Sequence, residues 1–170
     1  LTDRPGFLRI ETQRGAASDG VPINNLLLRP YSGDFILETR VEFNPERAQE
    51  FAGLVVFVDD DNSVALGLVH AAGDRGVFRG VALLGVSGGQ ASTTRPGAFY
   101  DAESTDNPNV VYLRLLRSGD NFVAGYSADG VTYADIGSLN NPMIDAVRVG
   151  LTAANGDFPE CGDDCDVSIP

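Results

Sequence analysis

The sequence predicts an all-β domain, a sandwich of two antiparallel sheets, on three observations. Short runs of alternating apolar and polar residues recur, and no segment keeps a helical apolar period for three turns. Turn signals separate these runs about every ten residues, a spacing typical of sandwiches and barrels. A hydrophobic fraction of 43% in 170 residues supplies a sizeable core and indicates a single domain spanning residues 1–170.

The strands of the N-terminal half follow from side-chain alternation. In the first run Leu8 and Ile10 share one face, and in the second Phe35 and Leu37 begin an apolar face opposite charged residues. The next two runs are apolar apart from His70 and flank the acidic turn 59–62, which predicts a hairpin of well-buried strands. We predict strands over 7–12, 35–43, 52–58, 64–71 and 77–86.

The C-terminal half continues the same pattern. The loop 117–121 predicts a second hairpin, and the turn 127–130 precedes a further strand. Residues 15–23 and 87–109 lack alternation, and the second stretch is long for a loop in a compact domain. We predict strands over 111–116, 122–127, 132–136, 146–153 and 167–169.

The charge of the chain excludes several classes of partner. Twelve basic residues, all of them Arg, face 24 acidic ones, so the net charge is −12. Binding to nucleic acid or to an anionic membrane surface requires clustered positive charge, which this composition does not supply. No apolar run reaches the ~18 residues of a membrane-spanning helix, so we expect no membrane insertion.

The two cysteines, Cys161 and Cys165, lie close together in an acidic segment. A zinc site would need further Cys or His ligands at suitable spacing, and the one histidine, His70, is far away in sequence. A disulfide closing a tight loop fits best, with two free thiols as the alternative. A disulfide favours an oxidising compartment, so we expect a secreted or cell-surface protein.

Calcium is the cofactor that the acidic residues favour, because hard cations take several oxygen ligands. The candidate ligands surround the cysteines, where a disulfide would fix carboxylates that repel one another. They are Asp157, Asp163, Asp164 and Asp166. The turn 59–62 is a second acidic segment, although turns are commonly acidic for local hydrogen-bonding reasons.

One sheet face is predicted to be charged and to be the best candidate for ligand binding. Glu38, Arg40 and Arg114 point outward from their strands, and Arg offers a planar fork of donors for a polyhydroxylated or acidic glycan. If the strands are neighbours, Arg9, Glu11, Glu42 and Arg148 extend the same ladder. The alternative is cross-strand ion pairing that only covers the sheet. Aromatic residues of the loops could add a stacking surface: Phe99, Tyr100 and Tyr133.

Catalysis is not favoured by the residues available. His70 shares a strand face with Val64, Leu66 and Leu68, which predicts a core or sheet-edge histidine rather than a proton shuttle. Glu38 and Glu42 lie about 13 Å apart along one strand, farther than the carboxylate pairs of retaining or inverting glycosidases. We therefore expect a protein that is not an enzyme.

Several segments, taken in order, resemble the concanavalin A-like domain at the C-terminus of bacterial β-xylosidases. They are Pro5-Gly6-Phe7-Leu8-Arg9-Ile10, Asn25-Leu26-Leu27-Leu28-Arg29, Gly33-Asp34-Phe35, Glu38-Thr39, Ala52-Gly53-Leu54-Val55-Val56, Tyr112-Leu113-Arg114-Leu115, Tyr126-Ser127-Ala128-Asp129-Gly130 and Val149-Gly150-Leu151. The resemblance implies a jelly roll that acts as an extracellular accessory module beside other domains. Relatives usually carry Trp shortly after the Tyr-Ser-x-Asp-Gly turn, where this chain has Tyr133.

These observations favour a non-catalytic extracellular module that binds carbohydrate or polysaccharide. The alternative is a structural or adhesion module whose partner is another protein or a neighbouring domain of a larger extracellular protein. A polysaccharide-cleaving enzyme is a third class, since jelly rolls host lyases.

Overall fold

The computed structural model of the chain describes residues 5–15, 23–47, 49–73, 76–94, 109–143 and 146–156. None of these residues is helical, and none forms a helix long and apolar enough to cross a membrane. The strands, in chain order, are β1 (Leu26–Tyr31), β2 (Phe35–Glu42), β3 (Glu50–Asp59), β4 (Asn62–Gly73), β5 (Gly76–Ser87), β6 (Gln90–Thr94), β7 (Val110–Ser118), β8 (Asn121–Ser127), β9 (Ala134–Asn140) and β10 (Val147–Asn155).

The strands form two antiparallel sheets. The larger sheet has six strands in the order β1-β10-β3-β4-β5-β6, and the smaller has four in the order β2-β7-β8-β9. The two sheets pack face to face, with β2 over β3 and β9 over β5 and β6. The predicted fold class, an all-β sandwich of two antiparallel sheets, is confirmed.

The main core lies between the sheets and follows from side-chain alternation. In β7 the residues Val111, Leu113 and Leu115 are buried, while the residues between them are half-exposed. They pack against inward side chains of the larger sheet such as Leu54 and Leu66. A period of two on β2 and β7 therefore leaves the outer face of the four-stranded sheet to solvent.

The larger sheet differs because its centre is buried on both faces. Every residue from 51 to 57 of β3 is buried, as the continuous apolar run predicts. On the outer face, Val55 and Phe57 pack with Ile23 in one cluster, and Phe51 packs with Val69 in another.

A buried asparagine joins the two sheets. Asn141 follows β9 and donates hydrogen bonds from Nδ2 to the backbone carbonyls of Ser63 and Val86, each at 3.0 Å. These carbonyls belong to β4 and β5 of the other sheet. Because a buried carbonyl without a donor is costly, this residue fixes the end of β9 against the larger sheet.

Most predicted strands are present with shifted ends, and three differences stand out. The prediction over 7–12 is wrong: this segment belongs to no sheet, and the Glu11 carbonyl accepts from the Asn25 side chain instead of a strand neighbour. Alternation also failed to predict β1, with its apolar triplet and Pro30, and the polar strand β6. The predicted strand 167–169 lies outside the described residues.

Candidate functional site

The outer face of the four-stranded sheet brings three predicted ligand-binding residues together. The strand register places Glu38 of β2 opposite Arg114 of β7, and Arg114 opposite Gly125 of β8. Tyr133, just before β9, lies over Gly125, whose missing side chain leaves room for the ring. We call Glu38, Arg114 and Tyr133 the paired-charge site.

An ion pair forms the centre of the paired-charge site. Arg114 Nε donates to Glu38 Oε1 at 2.6 Å, and the two side chains are 43% and 49% exposed. An exposed pair of this kind contributes about 0–1 kcal/mol to stability. Its main effect is therefore to hold a guanidinium and a carboxylate in one orientation at the surface.

Tyr133 fixes the guanidinium from the other side. The Arg114 Cζ atom lies 3.7 Å from the centre of the Tyr133 ring, a cation–π stacking distance. Desolvation, and then the charge of Glu38, raise the pKa of Tyr133, while the charge of Arg114 opposes the shift. One ring face is covered by Arg114, so that face is not free to stack on a ligand.

The turn before Tyr133 is held by a local hydrogen-bond network. Asp129 Oδ1 accepts from the backbone amides of Thr132 and Val131 and from the Ser127 hydroxyl. These bonds, led by the Thr132 amide, lower the pKa of Asp129 to about 2. The Ser127 hydroxyl oxygen accepts from the amide of Gly130, whose positive φ of 76° suits glycine. This network explains why the segment delivers Tyr133 onto the sheet.

Arg40 lies one row farther along the same face. Its register partner is Tyr112, and its guanidinium pairs with Glu42 at 3.5 Å. It also stacks over the ring of Phe7 at 5.1 Å. Arg40 and Arg114 are thus each paired with a glutamate. The Arg114 pair is cross-strand, the kind that the sequence offered as the alternative to ligand binding, whereas the Arg40 pair lies within β2.

A row of apolar side chains runs across the sheet beside the paired-charge site. Ile36, Leu116 and Val123 are register neighbours on β2, β7 and β8. Ile36 is 60% exposed and Val123 41% exposed. This apolar row was not predicted from the sequence, although each of its residues occupies an outward position of an alternating strand.

The wider charged ladder is not continuous. Arg148 lies on β10 of the other sheet, where it donates to the Val58 carbonyl, and Arg9 and Glu11 lie in the segment that forms no strand. Phe99 and Tyr100 lie outside the described residues.

The metal and disulfide predictions fall mostly outside the described residues. This holds for Cys161, Cys165 and the four aspartates Asp157, Asp163, Asp164 and Asp166. In the turn 59–62, Asp59 Oδ1 accepts from the Asp61 amide and the Asn62 side chain, which are turn-forming bonds. Within the described ranges, no three His, Cys, Asp or Glu side chains gather closely enough to hold a metal ion.

His70 is half-buried at the end of the core-facing row of β4, and its Nδ1 is buried. The row itself, Val64, Leu66 and Leu68, belongs to the main core. This placement agrees with the expectation of a core or sheet-edge histidine.

Solved structures with the same fold include bacterial glycoside hydrolases. The GH43 protein BlXynB from Bacillus licheniformis matches 92% of this chain with a TM-score of 0.68 and 20% identity. The xylan beta-1,4-xylosidase from Bacillus halodurans C-125 matches 84% with a TM-score of 0.57 and 17% identity. The chain covers 30% and 28% of those two proteins.

A protein of unknown function from Saccharomyces cerevisiae also shares the fold. It matches 84% of this chain, which covers 73% of that protein, with a TM-score of 0.62 and 20% identity. No curated protein sequence matches the chain significantly.

Residues 1–153 match the family described as "Beta xylosidase C-terminal Concanavalin A-like domain". This match includes the paired-charge site and every strand of the two sheets except the last two residues of β10. The chain belongs to the beta-xylosidase C-terminal concanavalin A-like domain family.

Proposed function

We propose that this chain is a non-catalytic accessory module of an extracellular glycoside hydrolase, and that its paired-charge site contacts carbohydrate. The observation that supports the proposal is the Arg114–Glu38 pair, which is oriented by Tyr133 yet half-exposed. Family membership supports the association with glycoside hydrolases.

The chemistry of the paired-charge site suits sugar hydroxyls. Each hydroxyl both donates and accepts, so neighbouring hydroxyls can accept from a guanidinium and donate to a carboxylate. Because Arg114 and Glu38 are already oriented, a ligand would pay little side-chain entropy on binding. The opposite charges balance, which favours a neutral polyhydroxylated glycan over an acidic one.

The absence of catalysis is part of the proposal. Glu38 and Glu42 lie on one face of one strand, about 13 Å apart at about 3.3 Å per residue. Retaining and inverting glycosidases require separations of about 5–5.5 and 6.5–9.5 Å. Incubation with neutral and acidic polysaccharides should release no reducing or unsaturated ends.

Glycan binding can be tested by affinity electrophoresis in gels containing soluble xylan, arabinan or an acidic polysaccharide. We expect retardation in a neutral polysaccharide and its loss in Arg114→Gln, since glutamine keeps a polar side chain but removes the ion pair. Arg29→Gln is the matched control, because Arg29 is an exposed arginine on β1 of the other sheet. Unchanged retardation in Arg114→Gln would contradict the proposed site.

A second candidate function, docking of a neighbouring domain, is favoured by the apolar row. Exposed Ile36 and Val123 flank Leu116, and such a patch rimmed by polar residues is typical of interaction surfaces. If docking is the function, Ile36→Ser should weaken association with the adjoining domain and leave glycan retardation unchanged. If Ile36→Ser instead abolished glycan retardation and left the association with the adjoining domain unchanged, glycan binding would be favoured over docking.

We also propose an extracellular setting, with a Cys161–Cys165 disulfide and calcium held by Asp157, Asp163, Asp164 and Asp166. Mass spectrometry before and after reduction and alkylation tests the disulfide. Calcium titration by calorimetry, repeated with Asp163→Asn, tests the metal site, and an identical titration curve would contradict it.

A further inference from the structure

A cleft opens at one side of the sandwich, where the larger sheet is wider than the smaller one. β2 is an edge strand and packs over β3, so β10 and β1 extend beyond it. Residues 6–12 cross this side without joining either sheet. The space between them and the two sheets has a volume of about 470 Å³.

The lining of the cleft is largely apolar and comes from three directions. Three of these residues come from the two sheets: Val41 of β2, Phe43 directly after β2, and Leu151 of β10. Residues 6–12 contribute Phe7, Leu8 and Ile10.

Core packing is incomplete around this cleft. Val41, Phe43 and Leu151 contact the main core but stay partly exposed. Their neighbours Val111 and Val149, on the same inner faces, are 1% and 2% exposed. Side chains that line an unfilled space lack dispersion contacts on that side. An apolar ligand that enters the cleft would supply these contacts.

The mouth of the cleft is polar but its charge is balanced. Arg40 and Glu42 both line it and pair with each other at 3.5 Å, and Arg40 also covers the ring of Phe7. A net anionic or cationic group would have to compete with this pair. A neutral hydroxyl or amine could hydrogen-bond to either member without breaking it.

We infer that this cleft binds a small apolar molecule, aromatic or chain-like, that carries one uncharged hydrogen-bonding end. The volume lies within the range of about 300–1,000 Å³ that is usual for small-molecule sites. Residues of the segment 6–12 line the outer side of the cleft, beside the edge strand β2, and the space that remains suits a small molecule rather than an added strand. This site is separate from the paired-charge site and does not depend on glycan binding.

Fluorescence titration of the full chain with N-phenyl-1-naphthylamine tests the inference, because this probe is neutral, apolar and carries one N–H. We expect saturable enhancement with one site per chain. Ala52→Leu and Ala153→Phe enlarge two buried alanines that line the cleft, and each should weaken probe binding by about tenfold or more. Circular dichroism and thermal melting report whether each variant is folded.

Ile36→Ser is the control, because Ile36 belongs to the apolar row and does not line the cleft. Probe affinity in this variant should remain within about twofold of the parent chain. Absence of saturable binding to the parent chain would overturn the inference. So would unchanged binding in both folded alanine variants, or a loss of binding in Ile36→Ser, which would place the probe on the apolar row.

Discussion

The outer faces of the two sheets have opposite environments. On the larger sheet, Val55 is fully buried and Phe51 packs over Gly67. On the smaller sheet, Val123 is 41% exposed and Tyr133 lies over Gly125 as part of a surface site. The same kinds of residue therefore contribute to stability on one face and remain available for contacts on the other.

The two faces should differ most in how much unfolding free energy is lost when a glycine on each is replaced by alanine. A Cβ on Gly67 would lie 2.4 Å from the Ala52 carbonyl oxygen and 2.6 Å from the Phe51 ring, so backbone must move. A Cβ on Gly125 would lie 3.2 Å from the Ala134 carbonyl oxygen and 3.7 Å from Tyr133. Gly67→Ala should lower the free energy of unfolding by about 3 kcal/mol and Gly125→Ala by about 1 kcal/mol. Urea denaturation measures both, and equal losses would contradict the contrast.

The next largest difference in unfolding free energy should come from replacing one valine on each face by alanine. Val55→Ala removes two buried methyl groups and leaves a cavity, so it should cost about 2–3 kcal/mol of unfolding free energy. Val123→Ala removes the same atoms from an exposed position and should stay within about 0.5 kcal/mol. The comparison fails if chemical denaturation places the two variants at the same midpoint.

The turn that carries Tyr133 predicts a smaller, pH-dependent effect. The folded pKa of Asp129 is about 2, below its ordinary value of 3.8. Its contribution to stability is therefore present above pH 3.8 and lost as the pH falls toward 2. The melting temperature should fall more steeply over this window in the parent chain than in Asp129→Asn. Parallel pH profiles would show that the turn network does not stabilise the fold.

The smallest expected effect is on the titration of Tyr133. Its pKa is raised above 10.0 by desolvation and by the charge of Glu38, while Arg114 opposes the shift. Any stability linked to this raised pKa is present below pH 10.0 and lost as the pH rises through the folded value. Glu38→Gln should move the pKa down and Arg114→Gln should move it up.

Absorbance at high pH, taken as the difference between each protein and its Tyr133→Phe counterpart, isolates this tyrosine from the other four. Identical curves for the two charge variants would mean that the paired-charge site is not assembled in solution.

Sequence patterns predicted the parts of the fold that alternation controls. On β2 and β7, a period of two separates Leu37 and Leu113 from Glu38 and Arg114, so both the strands and their outward charges were predictable. The segment 7–12 alternates in the same way but forms no strand, because alternation reports which residues face apolar surroundings and not whether a neighbour supplies backbone hydrogen bonds. β6 was missed for the converse reason, since its backbone pairs with β5 although its side chains are polar.

The candidate site was predicted as a set of residue types but not as an arrangement. Glu38 and Arg114 were predicted on one charged face and Tyr133 in a loop, and only the register of β2 with β7 and of β7 with β8 brings all three together. Ile36, Leu116 and Val123 were not anticipated because single outward apolar residues carry no signal until pairing aligns them in a row. Pairing between strands distant in sequence is the information that a single sequence lacks.

The position of β10 in the larger sheet also constrains the order of assembly during synthesis. β10 is the last strand of the described chain, yet it lies between β1 and β3 and pairs with both. Until residues 147–155 have left the ribosome, β1 has no partner in the sheet and β3 keeps an open edge. The nascent chain therefore holds an incomplete larger sheet until β10 emerges. A stop codon before Val147 would remove the strand that joins the first segment of the sheet to the rest.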